Sequence, residues 1–196
     1  DPAPDPAFKE LVLGLPGEGV VAEHVPVVDP VRVREARDGL AAKIARRLAP
    51  AWERTWAALR DDAPYQPSAA ASGRRALKNA ALGFWVRGGD AAAFEAAAGQ
   101  FARADNMTDR HAALAALVNS PAPQREAALD AFAREFAGEP LAMDKWFVLQ
   151  ATMHRSPGDP PVIARVRKLL EHPAFSLKNP NKVRSLIGAF CNGNLA

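Results

Sequence analysis

The sequence is poor in cysteine, in long apolar runs and in excess charge of either sign. Its single cysteine, Cys191, excludes a disulfide framework and a zinc site built from cysteines. No apolar run approaches the roughly 18 residues that a membrane-spanning helix needs. Lys and Arg number 25 against 22 Asp and Glu, and the two signs are interspersed. We therefore expect no membrane partner and no nucleic-acid partner, since nucleic-acid binders concentrate basic residues on one face.

Sequence motifs that carry chemistry are also missing. The four histidines form neither a HExxH pattern nor any pair four residues apart, the spacing that lets two ligands on one helix face converge on zinc. There is no GxSxG elbow, no phosphate-binding GxxxxGK[ST] loop and no GxGxxG. The sequence therefore assigns no catalytic residue and no metal ligand to this chain.

The first 28 residues differ from the remainder of the chain. Residues 1–7 are rich in proline and indicate a linker, and residues 14–28 indicate an ordered loop. The six residues between them, 8–13, fit a short strand or a single helical turn. We predict that 1–28 is a linker with a short segment of a preceding domain and that 29–196 is a helical C-terminal domain, truncated at its C-terminal end.

From Asp29 onward the pattern is helical, with apolar residues three and four positions apart and Pro or Gly at the breaks. Caps are predicted at Asp29, Asp90, Thr108 and Asn179. Nine helices are predicted, at approximately 29–48, 52–59, 72–87, 90–101, 108–118, 120–138, 141–153, 159–170 and 179–190. Short connections imply antiparallel neighbours. The predicted fold is all-α, an irregular HEAT- or armadillo-like superhelical stack of antiparallel helix pairs.

The last three helices contain the least ordinary residues. Residues 141–153 are apolar on every side, which predicts a buried helix, and Asp144 and Lys145 within it must find partners. In the last helix, Arg184 lies on the flank of the apolar stripe. It could bind a carboxylate or carbonyl of a peptide, and pairing with a neighbouring helix is at least as well supported by the spacing.

Four strings carry a resemblance to a known family: RALKNA at 75–80, NMTD at 106–109, MDKWFVLQAT at 143–152 and NPNKVRSLIGAF at 179–190. In order and spacing they resemble the C-terminal helical domain of bacterial aminopeptidase N, the M1-family zinc alanyl aminopeptidases, in the cytosolic branch. The resemblance runs from about Leu11 to the last residue.

The resemblance implies a function for the longer protein and a limited part for this piece. Zinc would be a cofactor of the full-length enzyme, bound by a thermolysin-like catalytic domain outside this chain, and none would be bound here. This domain would wall the cavity that small peptides enter in a cytoplasmic enzyme. Arg184 matches an arginine facing that cavity, with Asn181 and Lys182 as weaker substrate contacts. The fragment alone is expected to be inactive.

Two other functions fit the residues without the resemblance. A free-standing helical-repeat scaffold that binds proteins would present a concave surface of exposed aromatic side chains and no arginine facing a cavity. A nucleic-acid-binding repeat would need a strongly basic face and a steep salt dependence, and the mixed charge argues against it.

Overall fold

The computed structural model describes residues 5–61, 64–156 and 158–194, and within those ranges every regular element is a helix. The helices are α1 (Pro6–Leu13), α2 (Glu18–Ala22), α3 (Pro30–Arg47), α4 (Ala49–Ala58), α5 (Ala69–Arg87), α6 (Ala91–Arg103), α7 (Met107–Val118), α8 (Arg125–Glu135), α9 (Pro140–Ala151), α10 (Val162–Leu169), α11 (Pro180–Val183) and α12 (Ala189–Gly193), with a π-helical turn at Arg184–Gly188 between the last two. The all-α prediction is confirmed.

Three of the predicted caps form as expected, and a fourth moves. The side chains of Asp29, Asp90 and Asn179 each accept a hydrogen bond from a backbone N–H two residues ahead, at 2.9–3.0 Å. At α7 the cap is Asn106 rather than Thr108: Asn106 Oδ1 accepts from the Asp109 N–H at 2.9 Å. Thr108 lies inside the helix, so the prediction was two residues late.

Several further boundaries differ from the predictions: α4 and α5 begin three residues earlier than predicted, and α10 begins three residues later. The sixth predicted helix was placed from residue 120, but α8 begins at Arg125. Ser120 instead donates its hydroxyl to the Leu117 carbonyl at 2.9 Å and so closes the preceding turn. The last helix continues to Gly193 rather than stopping at Phe190, and residues 195–196 of the predicted tail lie outside the described ranges.

The N-terminal segment contains more helix than its composition indicates. The alternatives for residues 8–13 resolve as the helix α1, and the predicted linker residues Pro6 and Ala7 belong to it, whereas residues 1–4 lie outside the described ranges. The predicted loop 14–28 contains α2, whose Glu18 pairs with Arg34 of α3 at 3.0 Å. The assignment of 1–28 to a preceding domain stays a prediction.

The chain divides into two compact units, Asp1–Ala116 and Leu117–Ala196. In the first, α5 packs against α1, α3 and α4. Gly73 of α5 permits the close approach of α1, because a Cβ there would lie 3.1 Å from the Cβ of Ala7. The core is aromatic: Trp52 stacks on Phe84 with ring centroids 4.7 Å apart.

The second unit buries side chains from α8, α9, α10 and the last helical segment, among them Phe132, Phe147 and Leu186, each without exposed surface. Trp146 donates its indole N–H to the Leu129 carbonyl of α8 at 2.9 Å. The prediction that α9 is buried on every side was wrong in part. Leu141 is 73% exposed and Val148 38% exposed, because α9 keeps one face in solvent.

No helix within the described ranges has both the length and the apolar character that crossing a bilayer requires.

Candidate functional site

The predicted contact residues lie together at the start of the last helical segment. Asn179 caps it, Pro180 occupies its first position, and α11 runs directly into the π-helical turn Arg184–Gly188. Asn181 and Arg184 are exposed, whereas Lys182 between them is buried. A single helix turn therefore presents two polar side chains outward and one cation inward.

Lys182 is fully engaged by α9. Its residue is only 6% exposed. The ammonium lies 2.8 Å from Asp144 Oδ1 and donates to the Pro140 carbonyl at 2.8 Å. It also lies 5.7 Å from the centre of the Phe147 ring, within the distance of a cation–π contact. Asp144 thus finds the intradomain partner that its place on a largely buried helix requires, and Lys145 on the same helix is exposed.

Ser185 extends this cluster into the π-helical turn. Its hydroxyl oxygen lies 3.0 Å from the Lys182 carbonyl and 3.3 Å from Asp144 Oδ1, so its one proton can be donated to either acceptor. Ser185 and Leu186 are both buried. The side chains of Lys182, Ser185 and Leu186, which flank Arg184 in the sequence, are therefore buried in the second unit.

Arg184 differs from its neighbours because it is exposed and its side chain makes no hydrogen bond or ion pair with any residue in the described part of the chain. The sequence left open whether Arg184 pairs with a neighbouring helix or binds a peptide. The described residues show no pairing of Arg184 with a neighbouring helix. A guanidinium with five free donors is suited to bind a carboxylate or a carbonyl.

A second polar cluster is buried in the first unit, around Asp109. Lys78 Nζ lies 2.7 Å from Asp109 Oδ2, and Asn79 donates to the other carboxylate oxygen at 2.9 Å. Gln100 donates to Asn79 Oδ1 at 2.8 Å and accepts the indole N–H of Trp56 at 2.9 Å. The buried groups are thereby satisfied by one another, as a stable interior requires.

The four recognisable strings are thus joined in two pairs. Lys78 and Asn79 of the first string bind Asp109 of the second, and Asp144 of the third string binds Lys182 of the fourth. Sequence reasoning identified the strings and the need of Asp144 for a partner. It did not identify the partners, because they lie 31 and 38 residues apart in the chain and no local pattern joins them.

Each unit also contains an open cavity. One of about 440 Å³ in the first unit is lined by Trp56, Lys78 and Asp109 among others. Another of about 820 Å³ in the second unit has Trp146 and His172 in its wall. Burial lowers the pKa of His172 from its ordinary value. Neither cavity is lined by Arg184.

The described residues contain no group of three or more His, Cys, Asp or Glu side chains that could hold a metal ion. The described residues therefore do not fit zinc as a cofactor held by this part of the chain.

The whole chain matches one family model. Residues 1–196 match the family described as a domain of unknown function (DUF3458_C) with ARM repeats. The armadillo-type repeat in that description agrees with the predicted all-α repeat stack.

Two curated relatives and one solved structure that the chain resembles are named as aminopeptidases. The chain is 37% identical over 196 residues to aminopeptidase N of Caulobacter vibrioides, covering 100% of this chain and 22% of the relative. It is 38% identical over 192 residues to aminopeptidase N of Escherichia coli, covering 98% and 22%. Aminopeptidase A of Legionella pneumophila, whose crystal structure contains aspartic acid, matches with a TM-score of 0.80 and 27% identity, covering 97% of this chain and 23% of that one. The chain spans about a fifth of the length of these relatives.

Proposed function

Because the chain belongs to the DUF3458_C ARM-repeat family, we propose that it is the C-terminal domain of a longer M1-family zinc alanyl aminopeptidase, which removes N-terminal amino acids from peptides. This domain walls the substrate cavity and contributes no catalytic residue. The observation that carries the proposal is the exposed Arg184 guanidinium, which has no partner among the described residues. Peptides offer the carboxylate and carbonyl oxygens that such a group binds.

In this proposal the catalytic groups and the substrate-cavity wall belong to different parts of the longer polypeptide. Zinc and the catalytic groups belong to a thermolysin-like domain elsewhere in that polypeptide, which is also the direct partner of this chain. The coverage of about a fifth of each relative supports this division. We place the enzyme in the cytoplasm, on the resemblance to the cytosolic branch.

The three predicted contact residues differ in the part that we propose for them in substrate binding. Arg184 is the main substrate contact, and Asn181, one turn earlier and exposed, is the second. A direct contact between Lys182 and the substrate stays a prediction, but the buried bonds of Lys182 to α9 favour another part for it.

A helical scaffold that binds other proteins is the second candidate. It is favoured by the exposed apolar side chains of α1, where Phe8, Leu11 and Val12 are each more than half exposed. Under the first proposal the same side chains contact the catalytic domain. A full-length polypeptide without aminopeptidase activity would favour the scaffold.

Kinetics of Arg184→Ala in the full-length polypeptide test the proposal. With a tripeptide substrate we expect KM to rise about tenfold and kcat to change by less than about twofold, since a contact remote from the reacting bond contributes equally to ground-state and transition-state binding. Arg184→Lys should retain part of the affinity.

Two controls make the test specific. Arg167→Ala removes an exposed arginine from α10 and should leave KM unchanged. A single aminoacyl-nitroanilide lacks the distal peptide groups, so its KM should respond less to Arg184→Ala than the KM of a tripeptide. An unchanged tripeptide KM in Arg184→Ala would remove Arg184 from the site.

A further inference from the structure

We propose that Lys182 is a positioning residue: its buried bonds to α9 fix the backbone at the start of the π-helical turn and so hold Arg184 outward. The inference rests on the proposed role of Arg184 as a substrate contact. It assigns to Lys182 an indirect part in substrate affinity, exerted through its neighbour two residues ahead.

The bonds of Lys182 leave it no freedom. An ammonium has three donors, and here it faces the Asp144 carboxylate, the Pro140 carbonyl and the Phe147 ring at once. Two of these contacts are at 2.8 Å. Since Pro140 begins α9 and Asp144 lies in its first turns, the start of α11 is tied to the start of α9.

The π-helical turn begins immediately after this tie. Arg184 is the first residue of that turn, so its direction is set by the backbone just before the turn, which Lys182 holds against α9. Ser185 stabilises the turn by its hydroxyl, which lies within hydrogen-bond distance of both the Lys182 carbonyl and Asp144. Leu186 is fully buried next to it. With Ser185 and Leu186 held inside, Arg184 is held outside.

A stability role alone does not account for this arrangement. A buried ion pair contributes little net stability compared with apolar residues of similar size, because desolvation of both charges offsets their attraction. What the pair does supply is direction, since hydrogen bonds specify an orientation that apolar packing does not. Pre-organised binding groups raise affinity because less freedom is lost when the ligand binds.

The test is a set of variants in the full-length polypeptide, assayed for KM and kcat with a tripeptide. Lys182→Met should raise KM about threefold to tenfold with kcat within about twofold, and Lys182→Arg, which keeps the charge, should restore most of the affinity. Lys145→Met is the matched control, because Lys145 is an exposed lysine on the same helix as Asp144. It should leave both constants unchanged.

A double variant separates positioning from an independent effect. Because Lys182 acts through Arg184, the KM of Lys182→Met combined with Arg184→Ala should equal that of Arg184→Ala alone. Multiplying effects would overturn the inference, and so would a normal KM in Lys182→Met. An unchanged KM in Arg184→Ala would refute the proposed substrate contact of Arg184. A raised KM in Arg184→Ala with a normal KM in Lys182→Met would refute only the positioning role of Lys182.

Ser185→Ala keeps the inference testable if Lys182→Met does not fold. It removes only the hydroxyl and leaves the ion pair in place. We expect KM to rise about twofold in the presence of Arg184 and not at all in its absence. A Ser185→Ala protein with the KM of the unaltered enzyme would then count against a positioning cluster.

Discussion

Lys78 Nζ lies 2.7 Å from Asp109 Oδ2, and both side chains are only 10% exposed. The pair joins the middle of α5 to the first turn of α7. Asn79 and Asn106 donate to the same carboxylate at 2.9 and 3.1 Å, so both oxygens of Asp109 accept hydrogen bonds.

Lys78→Met should strongly destabilise the chain, because it leaves the Asp109 charge buried without its cation. We expect a loss of about 3 kcal/mol in the free energy of unfolding, measured by urea denaturation at pH 7. Lys43→Met replaces an exposed lysine and should change stability by less than about 0.5 kcal/mol. Equal stabilities for the two variants would mean that the Lys78–Asp109 pair is not structural.

Asp159 makes the stability of the second unit dependent on pH. Arg125 donates two hydrogen bonds to its carboxylate at 2.7 and 2.8 Å, and the Ser156 N–H donates a third at 2.8 Å. The Arg125 bonds are the main reason that the pKa of Asp159 falls from 3.8 to about 2. The folded state therefore binds this proton less readily than the unfolded state, so the stabilisation is complete above about pH 4 and is lost as the pH falls toward 2.

Comparison with Asp159→Asn isolates this contribution. The difference in unfolding free energy between the unaltered chain and the variant should shrink by about 1–2 kcal/mol between pH 5 and pH 2, a range that allows for solvent screening at the partly exposed carboxylate. Asp130→Asn, at an exposed position of α8, should show no such change. A difference that stays constant over this pH range for Asp159→Asn would refute the assignment.

The contact between α1 and α5 depends on the missing side chain at Gly73. A Cβ at this position would lie 3.1 Å from both the backbone nitrogen and the Cβ of Ala7, so Gly73→Leu should displace α1 at a cost of about 1–3 kcal/mol. Amide hydrogen exchange should then become faster in α1 than in the unaltered chain.

Gly83→Ala is the matched control on the same helix. Nothing lies within 4 Å of a Cβ at Gly83, so the substitution should stabilise α5 by about 0.5–1 kcal/mol through helix propensity alone. Unchanged exchange in α1 for Gly73→Leu would show that α1 does not pack there.

Much of the helical architecture could be predicted because its determinants are local. The caps at Asp29, Asp90 and Asn179 lie beside the residues they bind, and apolar spacing within one helix defines its buried face. The predictions failed where two polar residues compete for a cap, as Asn106 and Thr108 do. They also failed for α2, five residues long, which has no periodicity to detect.

Only part of the candidate site could be predicted from the sequence, because the rest depends on contacts between residues far apart in the chain. Asp144 could be recognised as a buried charge in need of a partner, but Lys182 and Arg184 are both basic, two residues apart, and local spacing does not distinguish them. Tertiary packing makes the difference: one enters the core to bind α9 and the other remains exposed. The π-helical turn between α11 and α12 likewise has no sequence signal of its own.

The most direct test of the account measures zinc content and aminoacyl-nitroanilide hydrolysis in the purified 196-residue chain beside the full-length polypeptide. Circular dichroism should first show that the shorter chain is helical. We predict stoichiometric zinc and turnover for the full-length polypeptide and neither for the shorter chain. Turnover by the shorter chain, with zinc bound to it, would contradict the view that this domain only shapes the site where peptides are cleaved.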